Sequence, residues 1–211
     1  MKVILAEGLH QHLPSIKVHV LVARAIDLDV LRFFQVIPPV LDPDHVESLI
    51  MRWQAFHRQW LGNGREQSAL ENLLRCVMNE CFSPSLPLSD MHRYASLLAM
   101  APISAYALQT LHGGLSLELA QSDDVRPLAE LAPVWCDGRQ QQACRILGGD
   151  LVEGYGLQDG TCDIVFVGEQ PDADFPSPER GMRYLYATLF PLCTSLQSGV
   201  LDVENPRLWL E

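Results

Sequence analysis

The chain has 211 residues, 48% hydrophobic and 19% charged, enough to bury a full core and too apolar for a disordered segment. Its net charge of −11 sits in the second half: residues 101–211 hold six Lys and Arg against sixteen Asp and Glu, residues 1–100 nine against ten. That balance disfavours duplex DNA and other nonspecific nucleic-acid binding, which needs basic surface to displace counterions, and leaves only a patch around Arg52, Arg58, Arg65, Arg75 and Arg93.

In chain order, "SIKVHVLVARAI" (15–26) is rich in β-branched residues and reads as a buried strand running into a loop. "DHVESLIMRWQAFHRQWLG" (44–62) sets Val46, Leu49, Ile50, Trp53 and Trp60 at helical spacing, with Asp42 or Asp44 as N-cap and Gly62 as stop. In "SALENLLRCVMNECF", Ser68 and Glu71 form a capping box, and Leu70, Leu73, Leu74, Val77 and Cys81 make one apolar stripe. "SDMHRYASLLAMA" is expected to be a further helix, ended by Pro102. "SAYALQTLHGG" reads as a short helix closed by Gly113 and Gly114, and "LSLELA" alternates like a half-buried strand. "APVWCDGRQQQACRIL" suggests a hairpin turning at Asp137–Gly138, and "TCDIVFVGE" a strand. "SPERGMRYLYATLFPLCTSLQ" begins with Ser177 as cap and Pro178 at the first helical position, with a kink at Pro191. Strands and helices without strict alternation give an α+β fold of mixed α/β layers, a sheet packed with helices, in one domain over 1–211.

Apolar runs such as "VHVLVARAI" are too short to span a bilayer, and "MKVILAEGLHQHLPS" lacks a signal-peptide core, so the expectation is a cytoplasmic protein without a membrane partner. The six cysteines (Cys76, Cys81, Cys136, Cys144, Cys162, Cys193) show no CxxC pair and read as reduced thiols. His10 and His12 share a face of an extended segment, yet no carboxylate or cysteine accompanies them at metal-ligand spacing, so no metal is expected. "GGD" and "GYG" at 148–156 lack a dinucleotide-site context, and no Walker motif, G-x-S-x-G elbow or H-E-x-x-H is present; no cofactor is implied.

"LPLSDMHRYASLLAMAPISAYALQTLHGG" (86–114) carries a resemblance. With "IKVHVLVARAI" and "REQSALENLLRCV" before it and "TCDIVFVGE" after it, it resembles the B3/B4 domain of the phenylalanyl-tRNA synthetase β subunit and its free-standing relatives. Asp90 takes the family's first aspartate, Tyr94 the aromatic that follows and Pro102 the proline. Ala105, Tyr106 and Leu108 take the small, aromatic and aliphatic positions. The likeness is strongest over 65–170, with 171–211 as C-terminal helix and tail. Several polar positions depart from the pattern: Arg93 stands for asparagine, His92 for threonine, Met100 for glycine, Ser104 for histidine, Ala107 for aspartate and Glu118 for arginine. Glu169 lies a couple of residues off the position of a pocket-lining carboxylate and is left outside the candidate set.

The resemblance implies a layered α/β sandwich and, as activity, hydrolysis of the ester of a misacylated or unusual aminoacyl-tRNA. Such an ester is already activated, so it needs an oriented water and donors aimed at the oxyanion rather than a strong nucleophile. His92 and Ser104 are the candidate catalytic residues, and Asp90, Arg93, Tyr106 and Thr161 the candidate substrate-binding residues. The alternative is a catalytically degenerate module that binds an amino-acid-like small molecule or a protein partner. Acyl transfer to a small acceptor would use the same pocket.

Overall fold

Residues 1–61, 68–120 and 132–210 are described by a computed structural model. The expected stop at Gly62 and the basic residue Arg65 lie outside the described residues. The first part of the chain forms β1 (Lys2–Leu5), β2 (Lys17–Arg24), the single turn α1 (Leu28–Leu31), α2 (Pro43–Leu61) and α3 (Ala69–Met78). Next come α4 (Pro87–Ala99), β3 (Ile103–Ala107), β4 (Leu115–Ala120) and β5 (Ala132–Asp137). The chain closes with β6 (Ile164–Gln170), α5 (Glu179–Leu189), β7 (Ser195–Leu201) and β8 (Arg207–Trp209). This is an α+β fold.

The described residues form two four-stranded sheets, with strand orders β5-β4-β1-β8 and β3-β6-β2-β7. The first is mixed, since β1 runs parallel to β4 and antiparallel to β8; every pair in the second is antiparallel. Side chains alternate across a strand, and β2 shows what that does. Val18, Val20 and Val22 enter a core shared with Val3, Leu5, Leu115, Leu117 and Trp135 of the other sheet. Leu21 and Ala23 enter a second core with Leu88, Met91 and Ala95 of α4 and Met182, Leu185 and Leu189 of α5. Helices thus cover the outer face of the second sheet, and α2 and α3 add Leu49, Ile50, Trp53, Leu70 and Leu74 to the inter-sheet core. Gly181 permits the close seat of α5, because a β-carbon there would come within 2.3 Å of the Ala95 carbonyl oxygen.

Local chemistry accounts for several element ends. Asp42 Oδ1 accepts from the Asp44 amide at 3.2 Å, making Asp42 the cap of α2. Ser68 Oγ accepts from the Glu71 amide at 2.9 Å, which is half of the expected capping box. The Glu71 carboxylate turns instead to Gln54 Nε2 and Arg75 Nε, tying α3 to α2. Three readings need correction. "ISAYA" is a strand and not the start of a helix, because pairing with β6 along its whole length outweighs its alanine content. The second arm of the hairpin at Asp137–Gly138 is reduced to isolated bridges, Cys136 to Gln142 and Cys144 to Leu151. Finally, α4 ends before Pro102: Met100 takes a left-handed conformation (φ 53, ψ 32) and its amide caps the Ser96 and Leu97 carbonyls. This is the position where the resemblance implies a glycine, the residue most at ease there.

Candidate functional site

The alternation of β3 divides its chemistry between two faces. Ile103 and Ala105 join the core under α4 and α5, whereas Ser104 and Tyr106 stand on the opposite face, toward the inter-sheet core that Tyr106 enters. Register places Ser104 beside Val167 and Tyr106 beside Val165 of β6, and two residues beyond Val167 on the same face is Glu169. Glu169 is 1% exposed, and its Oε1 accepts from the indole Nε1 of Trp135, on β5, at 2.5 Å. The Trp135 amide in turn donates to Cys144 Sγ at 3.1 Å. Ser104 and Cys144 are polar neighbours of the Tyr106 hydroxyl.

Three side-chain polar atoms here are buried without a hydrogen-bond partner among the described residues: Glu169 Oε2, the Tyr106 hydroxyl and Trp53 Nε1. Trp53 reaches the cluster by lying against Gly148, where a β-carbon would come within 2.6 Å of its ring and where φ is +72. Burial pushes the Glu169 carboxyl up to about 7, with the Trp135 indole and the Gly148 amide pulling the other way. Burial likewise raises the Tyr106 hydroxyl and the Cys144 thiol, each reinforced by the negative charge of Glu169. A carboxyl that titrates near neutral pH can act as proton donor or acceptor without leaving the physiological range.

Asp90 and Arg93 form a different cluster, at the first turns of α4. Asp90 accepts from the Ser85 amide at 2.9 and 3.1 Å, from Ser85 Oγ at 2.9 Å and from Arg93 Nη1 at 3.2 Å. Arg93 also donates to the Ser83 carbonyl at 3.2 Å and lies 4.2 Å over the Phe82 ring. These bonds fasten the segment after α3 onto α4. Thr161 is buried, with Oγ1 accepting from the Gln158 amide, and shares with Leu86, Pro87 and Leu88 the wall of a pocket of about 150 Å³. His92 lies on the α4 stripe of Leu88 and Ser96, with Nδ1 buried and unpartnered among the described residues. Burial lowers it to about 4; the Leu88 carbonyl and Asp90 oppose that shift and Arg93 adds to it.

The candidate residues therefore fall into two groups, Ser104 with Tyr106 between the sheets and Asp90 with Arg93 at the start of α4, with Thr161 beside the latter and His92 on α4 as well, apart from Ser104. Glu169, Trp135 and Cys144 complete the first group and were not among the candidates. The period of two in "VFVGE" carried the signal for Glu169, placing it on the face of Val165 and Val167. A larger groove of about 540 Å³, where the Leu5 end of β1 meets the Arg207 end of β8, holds Glu7, His10 and Arg207 and none of the candidates. No group of three His, Cys, Asp or Glu among the described residues could hold a metal ion, and no helix among them is long and apolar enough to cross a membrane.

No protein-family profile matches the chain, and no curated protein matches it by sequence. Among solved structures it is similar to an N-terminal fragment of the phenylalanyl-tRNA synthetase β-subunit from Pyrococcus horikoshii. That similarity has a TM-score of 0.40 and 8% identity over 94% of this chain and 49% of the fragment. The chain spans about half the length of that fragment. A likeness of this order transfers neither an activity nor a site residue.

Proposed function

We propose that the chain is a divergent B3/B4-like module that binds an amino-acid-like ligand at the inter-sheet cluster, with Glu169, Tyr106, Ser104 and Trp135 as the recognising residues. The observation that carries this reading is Glu169 Oε2, buried without a hydrogen-bond partner on the face of β3 and β6 that also holds the buried Tyr106 hydroxyl. Each buried group of this kind costs about 1–3 kcal/mol, and native proteins keep few of them without use. A ligand ammonium would draw Glu169 into its charged form, and a ligand hydroxyl would meet Tyr106. The stretch that supplies Ser104 and Tyr106 is also the one whose residue order resembles the family.

The near-neutral Glu169 favours a second reading, hydrolysis of an aminoacyl-tRNA ester. Glu169 would take a proton from the attacking water, and the Ser104 and Tyr106 hydroxyls would donate to the developing oxyanion. His92 lies on α4, over the opposite face of this sheet, and is given no role at that site. Contact with RNA would fall to the arginines of the first half, since the second half is acidic.

The test is a thermal-shift panel of free amino acids and nonhydrolysable aminoacyl-adenylate analogues, run beside a deacylation panel of charged tRNAs. A ligand at a hundred times its Kd stabilises by about 2.7 kcal/mol, a shift of several degrees, and Glu169→Gln removes it for ammonium-bearing ligands. Silence of the wild type across the panel overturns the binding reading. Ester turnover no faster than in solvent overturns the hydrolytic one.

A further inference from the structure

The C-terminal end of α3 holds two thiols that the inter-sheet cluster does not use. Beyond Met78, Asn79 caps the helix and Glu80 takes a left-handed backbone with φ 55, uncommon for a residue other than glycine. That turn folds the chain back on itself. The Cys81 amide donates to the Cys76 carbonyl at 2.9 Å, and Cys81 Sγ stands 2.9 Å from Cys76 Sγ. A disulfide bond measures about 2.05 Å, so the two sulfurs need approach by only about 0.9 Å, within reach of small side-chain rotations.

What sets the pair apart is the contact between its two sulfurs and the exposure of Cys81, since Cys162 and Cys193 are half-buried as Cys76 is. Cys81 is exposed and Cys76 half-buried, whereas Cys136 and Cys144 are buried. Burial pushes Cys136 up to about 12 and Cys144 higher still, which leaves them poor nucleophiles. Within the pair, the hydrogen bond with Cys81 raises the Cys76 thiol. Cys81, the more open sulfur, is therefore the one that reacts first.

We propose that Cys76 and Cys81 form a thiol–disulfide exchange site for small soluble disulfides of the glutathione class. The Cys81 thiolate attacks one sulfur of the small disulfide, breaks its S–S bond and expels one thiolate, leaving a mixed disulfide. The Cys76 thiolate then attacks Cys81 Sγ, forms the Cys76–Cys81 bond and expels the second thiolate. Two electrons pass from the pair to the small disulfide, and the two protons end on the released thiols. The bond would lock the turn that leads directly into Phe82, the platform beneath Arg93, and so would reach the fastening between α3 and α4.

The test uses the full chain, equilibrated without oxygen in glutathione buffers of stepped redox ratio, alkylated and mapped by peptide mass spectrometry. The expected product links Cys76 to Cys81, is lighter by two hydrogens and reverts with dithiothreitol. Cys76→Ser should stop at a mixed disulfide on Cys81, which the wild type passes through only transiently, and Cys81→Ser should give no closed product. The proposal fails if the wild type keeps both thiols free, or holds glutathione on either without closing, across the whole series. It fails equally if Cys76→Ser accumulates no mixed disulfide.

Discussion

Asp90 and Glu169 are both buried carboxylates, and the protein treats them in opposite ways. Asp90 is surrounded by donors: the Ser85 amide, the Ser85 hydroxyl and the Arg93 guanidinium all turn toward it. Glu169 has a strong bond on one oxygen, from Trp135, and none on the other. The first arrangement spends its polarity on joining two segments of chain. The second leaves one carboxylate oxygen unbonded, at a cost to stability that protonation near neutral pH relieves in part. Completeness of hydrogen bonding thus distinguishes these two carboxylates.

The largest test of that contrast is titration. Glu169 moves from an ordinary 4.5 up to about 7, so the folded state binds the extra proton and stability falls as pH rises through that window. At about 1.4 kcal/mol per unit, the full fall is roughly 3 kcal/mol. His92 moves from 6.5 down to about 4, so the unfolded state binds the extra proton and stability falls as pH drops through its window, by a similar roughly 3 kcal/mol. Between about pH 4.5 and 6.5 the two slopes oppose and nearly cancel. Urea denaturation at stepped pH should therefore show Glu169→Gln gaining stability on the wild type as pH rises, and His92→Asn gaining as pH falls. Variant and wild-type curves that run parallel would break the comparison.

A smaller effect should follow from Asp90→Ala, about 2 kcal/mol lost, because Ser85 and Arg93 lose their shared acceptor. Chemical denaturation reads it, and a loss below about 0.5 kcal/mol would mean that the cluster contributes little to holding the segment after α3. Smallest is Tyr106→Phe. Removing the Tyr106 hydroxyl, whose polar neighbours are only Ser104 and Cys144, should change stability by no more than about 1 kcal/mol, while removing any thermal response to hydroxyl-bearing ligands. Clear destabilisation would show that the hydroxyl is already satisfied in the free protein.

The sequence made some of this legible and concealed the rest for identifiable reasons. The α2 and α3 helices were readable because their apolar spacing and the Ser68 cap are local signals. β2, β4 and β6 were readable from β-branched runs and alternation. β3 was misread because its fate is decided by β6, some sixty residues later. β1, β7 and β8 were missed: each is short or polar, and each exists through pairing with a distant partner. The site divides along the same line. Ser104 and Tyr106 came from the residue order of one stretch, whereas the Trp135–Glu169 bond joins positions 34 apart that no local pattern connects.

β1 has a consequence of another kind. It is an inner strand, bonded on one side to β4 and on the other to β8, where Lys2 pairs with Trp209. A ribosome adds about 5–20 residues per second, so roughly 10–40 s separate the emergence of β1 from that of its last neighbour. Throughout that interval one margin of the strand is open to whatever nascent segment drifts past. Lys2, whose ammonium finally settles 5.0 Å over the Trp209 ring, gives the waiting margin a charge that discourages a wrong guest.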